Sequence, residues 1–154
     1  MDSLIFLWEF APALKTKLLY LAVFGQMCLA IYAYIAMSRA RMSAGKAKRI
    51  TADDYKATKD EPEDLRVLTR AVANQFEMPV LFYVVALALI SASAHSWITV
   101  VLAWAYVAVR TIHMREMISS NRVKLRRKIF IRSTQILLLM MAEFLLAILF
   151  LVQG

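Results

Sequence analysis

The sequence predicts an all-α integral membrane protein, a bundle of four transmembrane helices, and three observations carry that prediction. Hydrophobic residues make up 61% of the 154 residues and the mean hydropathy is +0.59, too apolar for a water-soluble domain of this size. The apolar residues fall in four runs on the scale of a bilayer, which needs about 20 residues per helix. Only three glycines and three prolines interrupt the chain, which suits long helices and disfavours a sheet-rich architecture. The formal charge of +8 resembles a nucleic-acid footprint, but the basic residues lie in loops between apolar runs, without a separate basic domain, so no nucleic-acid partner is expected. Cys28 is the one cysteine and sits in an apolar run, which excludes an intrachain disulfide and a cysteine metal cluster and leaves packing as its role.

Residues 1–15 are mildly apolar, carry Asp2 and Glu9 where a secretory leader would be basic, and show no small-residue cleavage site. A retained segment is expected, with Pro12 ending any turn that precedes the first long helix. The first span, residues 17–37, holds an uncharged stretch from Leu18 to Met37, about 30 Å at the helical rise. Gln26 is its one strongly polar side chain. An amide left unpaired in hydrocarbon costs on the order of 2–7 kcal/mol, so Gln26 is expected to face another helix. Residues 38–66 form a hydrophilic loop that begins with Arg39, Arg41, Lys46, Lys48 and Arg49 and ends in Asp60-Glu61-Pro62-Glu63-Asp64. That acidic, proline-bearing end marks a helix start near residue 62.

The second span, residues 67–94, opens with Arg70, Asn74 and Glu77, which at about 100° per residue fall within about 60° of one another and make one polar stripe. Pro79 lacks an N–H, so it should free the carbonyl of Gln75 and bend the helix beside that stripe, opening a local polar pocket. In the turn over residues 91–96, His95 is expected in solvent, and Trp97 should anchor the next helix at the interface. The third span, residues 96–118, has an uncharged stretch only from Trp97 to Val109, about 20 Å long. Arg110 and His113 must therefore lie within the membrane or at its edge. Arg110 cannot face lipid cheaply and approaches Glu77 from the opposite direction, so a Glu77–Arg110 pair is expected, either locking two helices or forming part of a site.

The loop over residues 119–128 belongs to a basic run that includes Arg115, Arg122, Lys124, Arg126, Arg127, Lys128 and Arg132. Of the 19 basic residues only Lys15 and Lys17 fall away from the face that carries both long loops. The positive-inside tendency then places both loops in the cytoplasm and both termini outside it. The same cluster, at the mouth of a polar pocket, would attract an anionic ligand. The fourth span, residues 129–152, carries Glu143, about 16 Å past Arg132 and so near mid-bilayer, either protonated, at a subunit contact or on a proton path.

Arg70-x-x-x-Asn74-x-x-Glu77 with a following proline in the second of four spans, together with Arg110-x-x-His113 near the inner end of the third, resembles the membrane-associated proteins in eicosanoid and glutathione metabolism (MAPEG). That family includes microsomal glutathione transferase and prostaglandin E synthase. Pro62-Glu63-Asp64, the pair Arg39 and Arg41, and the spacing of Arg122 and Arg126 after Arg110 fit the same pattern, over roughly residues 18–140. The resemblance implies a homotrimer, with glutathione in a cytoplasm-facing pocket between subunits and a lipophilic small-molecule substrate. It also implies an integral protein of a bacterial inner membrane or the endoplasmic reticulum. Carried over by position, Arg70, Asn74, Glu77, Arg110, His113 and Arg122 would bind glutathione and Arg126 would stabilise its thiolate. Two positions depart: Val72 stands where many members have a histidine, and Met117 where several have a tyrosine. Three functions remain in view: a glutathione-dependent transferase or peroxidase, a non-catalytic lipid-binding or scaffold member of the same fold, and a small transporter or proton relay using Glu77 and Glu143.

Overall fold

The computed structural model describes the backbone of residues 2–51, 53–54 and 61–151 and, within these, the side chains of residues 12–150. Among the described residues there are five helices: α1 (Asp2–Lys46), α2 (Glu63–Ala73), α3 (Met78–Ser91), α4 (Trp97–Ile118) and α5 (Val123–Leu151). α2 and α3 are two halves of one apolar segment, Glu63–Ser91, so among the described residues four segments are long and apolar enough to cross a membrane. Among the described residues there is no strand. The all-helical, four-span architecture is the one the sequence predicts.

α4 is the central helix, packed on α1, α2 and α5, while α3 fills the space against α1 and α5. Leu19, Ala22, Phe82, Leu89, Ala103, Tyr106 and Met140 are fully buried where these helices meet. At the centre the rings of Phe82 and Tyr106 stack with centroids 4.6 Å apart, within the range where offset aromatic pairs add to apolar burial. The outward faces carry Leu21, Phe24 and Ile31 on α1, Val84 on α3, Val101 on α4 and Leu138 and Leu139 on α5, all exposed. Large aliphatic residues on the outside match a hydrocarbon solvent, in which association depends on close packing and interhelical hydrogen bonds. One such bond runs from Gln26 Nε2 on α1 to Gln75 Oε1, 3.0 Å long and buried, as expected for Gln26.

Several local features differ from the sequence reading. Pro12 lies inside α1, so it ends no turn. α1 also runs on to Lys46, so Arg39, Arg41 and Lys46, expected at the start of a loop, are helical, while Lys48 and Arg49 lie in the turn that follows. The acidic cluster does open α2, with Glu63 and Asp64 in its first turn. Pro79, however, does not bend a continuous helix; the helix stops at Ala73 and restarts at Met78 with proline in its first turn. There the missing N–H costs nothing, because first-turn amides have no intrahelical acceptor. The intervening turn is closed by Gln75 N–H to the Val72 carbonyl at 2.8 Å, Phe76 N–H to Ala73 at 2.9 Å and Val80 N–H to Glu77 at 3.2 Å.

At the opposite end of the bundle, Ser96 caps α4 in a reciprocal capping box with Thr99, which satisfies amides that would otherwise be orphaned. Glu143 Oε1 accepts from Ser96 Oγ at 2.7 Å and from Thr99 Oγ1 at 2.6 Å. Glu143 is therefore level with the first turn of α4 and not at mid-bilayer. The reason is that α5 begins at Val123, which leaves about 30 Å of helix before Glu143. His95 is likewise not a solvent histidine: it is partly buried, with Nε2 2.7 Å from Thr16 Oγ1, tying the turn to α1.

Candidate functional site

At the loop end of the bundle, α2, the 74–77 break, the C-terminal half of α4 and the first turns of α5 enclose a cleft of about 500 Å³, within the size range of small-molecule sites. One wall carries Arg70, Ala73, Asn74 and Glu77, a second His113 and Met117, and a third Val123, Arg126, Arg127 and Phe130. Each set follows the three- and four-residue spacing that puts side chains on one helix face. Three arginines and one carboxylate line the space, so it is electropositive. Among the described residues no group of histidine, cysteine or acidic side chains could hold a metal ion.

Arg110 lies beneath the cleft, fully buried. Its Nη2 donates to the carbonyl of Asn74, and its Nε and Nη1 have no hydrogen-bond partner. Among the described residues no hydrogen bond or ion pair joins Glu77 to Arg110, so the expected pair is not formed. The break is the reason: it releases a backbone carbonyl at Asn74, which takes the guanidinium, while Glu77 at the N-cap of α3 stands exposed on the cleft wall. His113 is buried with Nδ1 unpartnered, its ring 5.9 Å from that of Phe130.

Arg122 is drawn away from the cleft. Its Nε and Nη2 bind the two oxygens of Glu116 at 2.9 and 3.0 Å, and its backbone N–H reaches Glu116 Oε1 at 3.1 Å. A fork of this kind is the strong form of the arginine–carboxylate contact, and it raises the guanidinium pKa further. The loop is wound around the same residue, since Asn121 N–H donates to the Glu116 carbonyl at 2.7 Å. Asn121 has φ 46°, in the left-handed region where asparagine is enriched. From there its Oδ1 accepts from Arg126 Nη1 at 2.6 Å. Arg126 is thus anchored without a carboxylate while it lines the cleft.

Of the residues singled out in the sequence, the cleft unites Arg70, Asn74, Glu77, His113 and Arg126, with Arg110 directly below and Arg122 outside. Sequence reasoning missed Arg127, Phe130 and Asn121 as parts of the site. Val123, Arg126, Arg127 and Phe130 form one i, i+3, i+4, i+7 face, a signal the sequence does contain once α5 is known to start at Val123. Of the two departures, Val72 packs against Ala33 and Met114, away from the cleft. Met117 lines the cleft, with Sδ 3.8 Å from Asn74 Nδ2.

The fold and this cleft define a four-span integral membrane protein with an arginine-rich, inter-helical cleft at one end of the bundle. The family model of the MAPEG family matches residues 18–146. The chain belongs to that family, and so to a class of membrane proteins of eicosanoid and glutathione metabolism. No curated protein and no solved structure matches the chain.

Proposed function

We propose that the chain is a glutathione-dependent membrane transferase or peroxidase acting on lipophilic electrophiles, with glutathione held in the arginine-rich cleft. The observation that carries this reading is the convergence of Arg70, Asn74, Glu77, His113, Arg126 and Arg127 on one cavity in a MAPEG-family fold. Glutathione offers two carboxylates and an amine. Arginines match the carboxylates in a bidentate manner, and Glu77 is the acceptor for the amine. Arg126 is the cation for the thiolate: Arg122 is committed to Glu116, whereas Arg126 has a neutral hydrogen-bond partner in Asn121. A cation beside a thiol lowers its pKa from about 8.5 and raises the nucleophilic fraction at neutral pH. In this reading the protein assembles as a homotrimer, a neighbouring subunit closes the cleft, both basic loops face the cytoplasm, and the electrophile arrives through the bilayer.

The test is calorimetric glutathione binding together with conjugation of a generic aromatic electrophile by the purified protein. Arg70→Gln should weaken glutathione binding by about 10- to 100-fold, the worth of a charge-assisted hydrogen bond. Arg126→Gln should shift the pH–rate profile to higher pH. Absence of both binding and turnover would refute the proposal. A second reading, a non-catalytic member of the same fold, is favoured by Met117, whose thioether occupies the cleft wall and donates no proton. Binding without turnover is its signature.

A further inference from the structure

Of the arginines that line the cleft, Arg70, Arg126 and Arg127, one has a fixed side chain. Among the described residues no hydrogen bond or ion pair holds the side chain of Arg70 or Arg127, both exposed, or that of Glu77 on the facing wall. Arg126 is partly buried, and its Nη1 donates to Asn121 Oδ1 at 2.6 Å. A tethered guanidinium is in place before a ligand arrives, which is the condition for stabilising an anion that develops in the site. An untethered one must be ordered by the ligand, at the cost of its side-chain entropy.

The tether comes from the turn between α4 and α5. Asn121 stands five residues before Arg126, one step beyond the spacing of neighbours on a helix surface, so the contact comes from the turn and not from a helix face. Asn121 has φ 46°, a conformation open to glycine and asparagine and strained for most other residues. The acid of the same turn, Glu116, is occupied: Oε1 accepts from the Arg122 backbone N–H and Nε, and Oε2 from Arg122 Nη2. The turn thus sorts its charges, giving the carboxylate to Arg122 and the neutral amide to Arg126. Across the cleft Arg126 faces Arg70 and Glu77 from the α2–α3 wall and His113 from α4, with Arg127 beside it on α5. Glu77 is the one acid among these lining residues, and among the described residues no ion pair joins it to Arg126.

We infer that Asn121 is a positioning residue, a neutral tether that fixes the Arg126 guanidinium on the cleft wall, apart from any acid, for the thiolate of bound glutathione. This role rests on the glutathione reading of the cleft and adds three demands on position 121. The residue must adopt the left-handed turn, accept a hydrogen bond from Arg126 and carry no charge. Aspartate meets the first two and fails the third. Glycine meets the first and third and fails the second.

The test separates these demands in the purified full-length protein, by calorimetric glutathione binding, Tm, and conjugation of a generic aromatic electrophile as a function of pH. In Asn121→Asp the carboxylate pairs with Arg126 and offsets the cation that favours the thiolate. The pH–rate profile should therefore move to higher pH by about one unit, the low end of the effect of a neighbouring charge. In Asn121→Gly the tether alone is lost, and kcat should fall about 2- to 10-fold, the worth of one neutral hydrogen bond, with a smaller change in KM for glutathione. On an Arg126→Gln background neither substitution should change the profile further, because each acts through Arg126. An unmoved profile in Asn121→Asp, or the full shift persisting without Arg126, would overturn the inference. So would a lowered Tm and specific activity with the profile in place, the mark of a purely structural asparagine. If the unmodified protein neither binds glutathione nor turns over, the glutathione reading itself falls and takes this role with it. Turnover that is indifferent to position 121 removes the role alone. Should Asn121→Asp not fold, Asn121→Gly and its cycle with Arg126→Gln decide.

Discussion

Arg110→Met asks whether the buried guanidinium holds the helix break that shapes the cleft. In the native chain Arg110 Nη2 donates to the Asn74 carbonyl, inside the turn that separates α2 from α3. Methionine keeps much of the volume and removes the donor. A hydrogen bond involving a charged group contributes about 1.5–3 kcal/mol, so local opening of the turn should become roughly 10- to 150-fold more frequent. Global stability should fall by less, because the charge itself is buried with Nε and Nη1 unpartnered and its removal relieves a desolvation cost. Amide hydrogen exchange in detergent reads this directly through Gln75, Phe76 and Val80, whose N–H groups close the turn. Glu77→Gln should leave those amides within about twofold of native, as expected of a group outside the local hydrogen-bond ladder. Unchanged exchange in Arg110→Met, or the same acceleration in Glu77→Gln, would refute the reasoning. The second outcome would restore the ion pair that the charges of the sequence suggest.

Two further predictions concern polar contacts away from the cleft. Gln75→Leu should destabilise more than Gln26→Leu, by a margin of about 1 kcal/mol on the scale of interhelical hydrogen bonds in membranes. The first strips the one bond from a Gln26 whose Oε1 already lacks a partner; the second removes that orphan. A double-mutant cycle by thermal unfolding checks it, and strict additivity would contradict it. Glu143→Leu should cost about 1–3 kcal/mol by leaving the Ser96 and Thr99 hydroxyls without their acceptor. Glutathione affinity, measured in parallel, should not change, since Glu143 is at the far end of α4.

The sequence was informative where a single helix face carries the signal and silent where two segments must meet. Four apolar runs, the acidic start of α2 and the Arg70-Asn74-Glu77 stripe are local patterns, and each has its counterpart in the structure. Glu77–Arg110 failed for a definite reason: opposite charge at similar depth predicts a pair only while the helix carrying Glu77 is continuous, and that helix stops at Ala73 and restarts at Met78. The Asn74 carbonyl exposed by that break is a backbone group, invisible to a search for complementary side chains. Arg122 was placed in the site on spacing, but its nearest carboxylate, Glu116, is six residues away in the chain and reachable only through the tight turn at Asn121. Glu143 was misplaced because the charged first turns of α5 look like loop, and depth counted from a wrong helix start carries the error along.

The same placements bear on a proton relay between Glu77 and Glu143. Glu143 is bound to Thr99, and Glu77 shares the cleft with His113; Thr99 and His113 are about 21 Å apart along α4. A relay needs polar groups or water at hydrogen-bond spacing across that gap. Between Thr99 and the buried Arg110 the gap holds Leu89, Ala103, Phe82 and Tyr106, all fully buried, and the one hydroxyl among these four, on Tyr106, has no partner. Each end has its own function in the fold: Ser96, Thr99 and Glu143 fasten α4 to α5, while the Asn74 carbonyl and Arg110 hold the break. Between them, Leu89, Ala103, Phe82 and Tyr106 separate the cleft from the far end of the bundle. In the proposed glutathione reading the ligand enters from the loop end, where Arg70, Arg126 and Arg127 line the cleft.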